Sequence, residues 1–329
     1  MAVLALWGCS KNETERKADF GEPLQFSSYA ARSGQVQDKA DGSFVPSNSA
    51  VFPSGTSFSV FSWYDGATTP YHFFNQSVLC TVTAGVASYS YSPTQYWPSA
   101  GEMDFWAFYP HGSANISHLN TGGTAFSRSD EGYGVLDFSV PAAASSQTDL
   151  MLADRASGLT YDNTVDGTVP LTFHHMLTQV QFKAKKSDNT ADISVTDVTV
   201  LYAYSHGVLA PAGTATSSSW TSRDTDNVPF PVVSSPVALT TSYASLTSSP
   251  LLMIPQSLSA VKVRIGYSCT TGGRTVAMEP VEYSLSTNEI TAWQQGNSIV
   301  YNLEFSVHPI TITPELVEWR TAAASVTID

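Results

Sequence analysis

The chain has 329 residues with 28 acidic against 15 basic side chains, a formal net charge of -13, and this excludes a nucleic-acid partner because phosphate binding needs a dense basic footprint. Hydrophobic residues make up 42% and aromatics 12%, enough to bury a core and too many for a disordered chain, over a length that suits about two domains. No apolar run reaches the ~18 residues of a membrane-spanning helix.

The first feature in chain order is Leu4-Ala5-Leu6-Trp7-Gly8-Cys9-Ser10. Apolar residues, a small residue, Cys and a polar tail form the pattern of a bacterial lipoprotein signal. Acylation of Cys9 is therefore expected, which places the protein outside the cytoplasm on a membrane surface. The leader Met1 to Gly8 is short beside the usual basic start and apolar stretch of about 7–15 residues, and it holds no Lys or Arg. The competing reading of Cys9 is an incidental thiol near a frayed terminus. Ser10 to Glu15 is a polar tether.

Strand patterns then follow almost without interruption. Leu24, Phe26, Ser28 and Ala30 fall on one face of a strand. Ser57 to Tyr64 is aromatic-rich and alternates in part, and Met103 to Tyr109 reads as a strand ended by Pro110. Residues 141–157 allow one short helix at most. Leu177 to Ala184, Ile193 to Tyr204, Val261 to Tyr267 and Ile299 to Phe305 alternate or are β-branched, as half-buried strands are. Gly, Pro, Asn and Ser clusters separate these runs, and Ser222 to Pro236 reads as a polar, Pro-containing loop. Short strands at regular spacing indicate an all-β chain built of β-sandwiches. The polar stretch Asp154 to Thr168 is the expected domain boundary. It gives a leader and tether over 1–21, an N-terminal domain over 22–160 and a C-terminal domain over 161–329.

Catalytic constellations are not in evidence. His174-His175 are adjacent, so on a strand they point to opposite faces and do not readily share a metal. The chain has no HExxH, GxSxG or Walker A pattern. Asp149, Asp154, Asp162 and Asp166 share a polar region and are the candidates for a calcium site, although their spacing fits no EF-hand loop. No cofactor or metal is expected and the chain does not read as an enzyme. Trp63, Tyr64, Tyr71, Phe73 and Phe74 are either a sugar-stacking surface or strand core. Cys80 and Cys269 have no CxxC spacing and are either a disulfide or two separate thiols.

Five segments together resemble the fimbrillin-like proteins of Bacteroidales, the subunits of type V pili. They are Leu24 to Tyr29 followed by Arg32; Tyr96-Trp97-Pro98 with Phe105 to Pro110; Gln147 to Ala153; Val169 to Leu177; and Leu251 to Gln256 with Trp293 to Asn297 and Val317-Glu318-Trp319. The resemblance implies two Greek-key-like, transthyretin-like β-sandwich domains and a lipidated precursor directed to the outer membrane. It also implies polymerisation by strand exchange into a surface fimbrium. A trypsin-like protease would cut after a basic residue and release the first strand, and a neighbouring subunit's C-terminal strand would fill the vacated groove. Mapped onto this chain, Leu24 and Phe26 are the core plug of the first strand and Arg32 is the cleavage residue. Arg16 and Lys17 are alternatives whose cleavage would leave the strand attached. The donor candidates are Val326 and Ile328 in the tail, where Ala322-Ala323-Ala324 is a weak plug. The implied partners are other pilus subunits, the processing protease, the outer membrane and a receptor on a host or bacterial surface. Two further readings stay open, a monomeric glycan-binding lipoprotein and a pilus anchor that keeps its first strand. A secreted glycosidase would need a carboxylate pair that nothing in the sequence singles out.

Overall fold

The computed structural model describes residues 21–30, 52–65, 72–119, 135–224, 228–247, 249–306 and 310–317. Cys9, Arg16, Lys17, Arg32, Val326 and Ile328 lie outside these residues. Among the described residues the chain is all-β. A 3-10 turn at Ala144–Ser146 takes the place of the short helix allowed near 141–157, and a second turn spans Ala215–Ser217.

The first strands are β1 (Gln25–Ala30), β2 (Ser57–Tyr64), β3 (Gln76–Thr83), β4 (Val86–Ser90), β5 (Met103–Tyr109), β6 (Ile116–Leu119), β7 (Val135–Ser139), β8 (Met151–Ala153), β9 (Ala156–Leu159) and β10 (Thr168–His175). After them come β11 (Thr178–Lys186), β12 (Asp192–Leu201), β13 (His206–Ala210), β14 (Ser219–Asp224), β15 (Phe230–Val233), β16 (Val237–Ala238), β17 (Ala244–Ser245) and β18 (Leu251–Met253). The last are β19 (Gln256–Ser257), β20 (Lys262–Thr271), β21 (Arg274–Ala277), β22 (Val281–Ser284), β23 (Ala292–Trp293), β24 (Ser298–Phe305) and β25 (Thr311–Val317).

One large sheet runs in the order β1-β10-β8-β5-β2-β3-β4, with β9 also on β5. It curls so that its two end strands meet: Ser28 of β1 hydrogen-bonds Tyr89 of β4. The curled sheet encloses a core of Leu24, Phe26, Phe58, Val60, Phe105 and Phe173 among others. Its middle strands are buried on both faces. In β2, Phe58 and Val60 face this core, whereas Phe61 and Trp63 join a second core. Burial on both sides removes the need for polar residues at alternate positions, which is why β2 and β5 alternate so poorly in sequence.

The second core runs from that outer face of β2 and β5 into the space between two further sheets, β17-β11-β24-β25 and β15-β12-β20-β21. Phe182 of β11 and Tyr301 of β24 stack at 5.3 Å, and Tyr267 of β20 meets Phe305 of β24 edge-on at 5.3 Å. This is a face-to-face sandwich. The segment read as a loop over Ser222 to Pro236 contains β15, which pairs with β12. Phe230 and Val233 are buried there, and two core-filling side chains outweigh the turn-like composition around them. Hydrogen-bonded sheets cross residue 160 in both directions. β10 pairs with β1 and β8, and β7 pairs with β13 in a sheet ordered β14-β13-β7-β6.

Candidate functional site

The first strand occupies an edge groove of the large sheet. β1 runs parallel to β10 in the register Gln25↔Thr168 to Ala30↔Phe173. Residues 31–51 lie between it and the next described segment, and its strand partner stands more than a hundred positions away in sequence. Just before the strand, Pro23 bridges Tyr96 in antiparallel fashion, the Leu24 amide donates to the Gln95 carbonyl at 2.9 Å, and the Trp97 amide donates to the Glu22 carbonyl at 2.9 Å.

Alternation turns Leu24, Phe26 and Ser28 inward, and all three are buried. The Phe26 ring sits among Phe58, Phe73, Tyr91 and Phe105 at centroid distances of 6.3, 5.5, 5.6 and 6.1 Å. Edge-to-face contacts of this kind add to the area term. The far wall of the groove is polar at its rim. Tyr91 Oη donates to the Leu24 carbonyl at 2.8 Å, and Tyr89 Oη meets Ser28 Oγ. Burial pushes the Tyr89 phenol up to about 12, with its bond to Ser28 pulling the other way. Sequence reasoning marked Leu24 and Phe26 but missed Tyr89 and Tyr91. The signal available was the aromatic alternation Tyr89-Ser90-Tyr91, which says nothing of its partner.

The other sequence candidates separate. His174 and His175 reach different aspartates: His174 Nε2 lies 2.9 Å from Asp154 Oδ2, and His175 Nδ1 pairs with Asp149. Asp154 also accepts the Ala215 amide at 2.8 Å, so it ties the β8–β9 connection to β10 and to the turn at Ala215–Ser217. Burial raises the Asp154 carboxyl, but the His174 bond, the Ala215 amide and the imidazole charge together hold it below the usual range. No His, Cys, Asp and Glu cluster suited to a metal occurs among the described residues. Trp63 and Phe73 are core, Phe74 is exposed, and Tyr64 donates to the Ala100 carbonyl at 2.8 Å; Tyr71 lies outside the described residues. Of this aromatic-rich region, Trp63 and Phe73 are therefore strand core, whereas Phe74 faces out and Tyr64 is half-buried. Cys80 and Cys269 are separate free thiols.

A model of the family described as fimbrillin-like matches residues 39–319. No curated protein matches the chain in sequence. Among solved structures, a fimbrial protein from Bacteroides vulgatus superposes with a TM-score of 0.63 at 16% identity, covering 91% of this chain and 99% of the other. Two chains provisionally described as cell adhesion proteins are similar in fold. The one from Bacteroides uniformis has a TM-score of 0.57 at 15% identity, covering 91% and 98%; the one from Bacteroides ovatus has 0.53 at 17%, also covering 91% and 98%. No helix among the described residues is long and apolar enough to cross a membrane.

Proposed function

The chain belongs to the fimbrillin-like family and is a structural, non-enzymatic subunit of a cell-surface pilus, and from that premise we propose that it assembles by replacement of its own first strand. In this reading Cys9 carries the lipid that holds the exported precursor at the outer membrane. A trypsin-like protease cuts after Arg32 and frees β1, and a strand from a neighbouring subunit takes its place. Val326 and Ile328 are the candidates for the strand this subunit offers in turn.

The observation that carries the reading is the attachment of β1. It is an edge strand, and a single cut after Ala30 severs its covalent link to everything downstream. Its inward face nonetheless supplies Leu24 and Phe26 to the core of the curled sheet. Burying two such side chains stabilises by about 3–6 kcal/mol together, at ~1.5–3 each. A whole domain has only about 5–15 kcal/mol of net stability. Loss of β1 thus leaves a marginal fold with an open aromatic pocket and an unpaired β10 edge. An incoming strand regains the backbone bonds through β-augmentation, and its alternate side chains fill the Leu24 and Phe26 positions.

Digestion of the purified precursor with a trypsin-like protease, followed by N-terminal sequencing and size-exclusion chromatography, tests this. We expect a new N-terminus at Ser33 and multimers that resist SDS. Cleavage without multimers assigns the subunit a tip or accessory place. A resistant monomer would sink strand replacement and favour an anchor that keeps β1.

A further inference from the structure

A second feature lies away from the groove of β1, and no residue of β1, β10 or the 89–97 wall lines it. It is an open cleft of about 840 Å³ between β14, the 202–204 segment and the ends of β19 and β23. Its size falls in the ~300–1,000 Å³ range of small-molecule sites.

The lining is chemically distinctive. The chain carries 28 acidic residues and a net charge of -13, yet among the described residues no Asp or Glu lines the cleft and Arg223 does. The Arg223 Nε donates to the Pro255 carbonyl at 2.8 Å. That bond pins the side chain and leaves the terminal nitrogens of the fork, the geometry that suits a planar carboxylate. It also bridges the outer edge of β14 to the segment before β19, which obstructs addition of a peptide strand there. Tyr202 lines the cleft, 44% exposed, with φ at 62° and the Lys262 ammonium 5.8 Å from its ring centroid. A bulky residue in the left-handed region is strained, and such strain persists where the surroundings hold it. Trp220 and Trp293 form the buried floor of the cleft, their indole N–H groups engaged by the Met176 carbonyl at 3.0 Å and Tyr301 Oη at 3.1 Å. Exposed Ser219, Ser257 and Gln294 supply hydroxyls and an amide. The exposed Tyr202 ring beside neutral polar groups matches a sugar, whose rings carry apolar faces and hydroxyl edges.

We propose that this cleft binds a short acidic oligosaccharide, with a sugar face against Tyr202 and its carboxylate on Arg223. The site stands independently of strand replacement, since it shares no residue with the groove of β1.

The test is calorimetric titration of the full chain with trigalacturonate and with sialyl-lactose, using lactose and maltotriose as neutral probes and tetra-aspartate as a peptide of like charge. At least one acidic sugar should bind with a Kd of about 1 mM or tighter, and the neutral sugars and the peptide at least about tenfold more weakly. Arg223→Gln should reduce acidic-sugar binding by about tenfold or more and abolish the preference over neutral sugars. Tyr202→Gly should weaken every sugar that binds without lowering the thermal midpoint, because glycine accepts the positive φ. That pairing separates loss of the site from loss of the fold. Failure of both acidic probes to bind overturns the proposal. So does equal affinity for lactose or tetra-aspartate, or full affinity in both variants.

Discussion

Asp154 shows how one carboxylate can join two halves of a chain. It accepts from the Ala215 amide and pairs with His174, so a residue of the β8–β9 connection holds both β10 and the turn at Ala215–Ser217. Asp104, almost fully buried on β5, anchors β9 and the residue before it. It pairs with Arg155 at 3.2 Å and accepts the Gly158 amide at 2.9 Å, while the Arg155 guanidinium lies 5.0 Å from the Trp106 ring centroid. The Lys262–Glu282 pair is exposed and contributes little by comparison. Because the Asp154 carboxyl binds its proton less tightly in the fold than in the unfolded chain, it adds stability above the ordinary Asp value of 3.8. That stability is lost as pH falls through the lower folded value. Urea midpoints measured from about pH 6 to about pH 2.5 should therefore fall less steeply for Asp154→Asn than for the parent chain. Superimposable slopes would show that the carboxylate plays no part in acid sensitivity.

At the scale of elements, the groove depends on the β3–β4 hairpin as much as on β1. Its loop is Ala84-Gly85, with φ of 51° and 80°, which is the two-residue turn whose twist suits antiparallel strands. Ala84 sits in the left-handed region without the freedom of glycine or the local hydrogen bonding of Asn. Ala84→Gly should raise the unfolding free energy by roughly 0.5–1 kcal/mol, read from chemical denaturation; a loss of stability would show that the turn is held differently. The strands whose alternation is clear in sequence, such as Val261 to Tyr267, lie in half-buried positions where one face is wet. β2 and β5 are harder to read because both faces are dry. β15 is invisible among prolines and polar residues, since only its contact with β12 makes Phe230 and Val233 core. The inward face of β1 is legible from alternation alone. Its ring and hydroxyl partners are not, because they come from hairpin and loop positions brought close by the curl of the sheet.

For the whole molecule, the ordered segments carry the family and the strand spacing carries the fold class. Neither reveals that hydrogen-bonded sheets run across residue 160, because pairing such as β7 with β13 joins segments with no local signature of one another. Neither reveals the cleft beside Arg223, whose lining comes from four separate stretches of chain. The central claim is that β1 is a replaceable plug and that the rest of the molecule is complete except for it. The most direct measurement is the thermal midpoint of the protein cut after Arg32 and freed of residues 1–32. It should be taken alone, with a synthetic peptide of residues 21–32, and with the same peptide carrying Phe26→Ala. The account predicts a lowered midpoint on removal, recovery with the parent peptide, and little recovery with the variant, since truncating a buried Phe costs about 3–5 kcal/mol. An unchanged midpoint after removal, or equal recovery with both peptides, would contradict it.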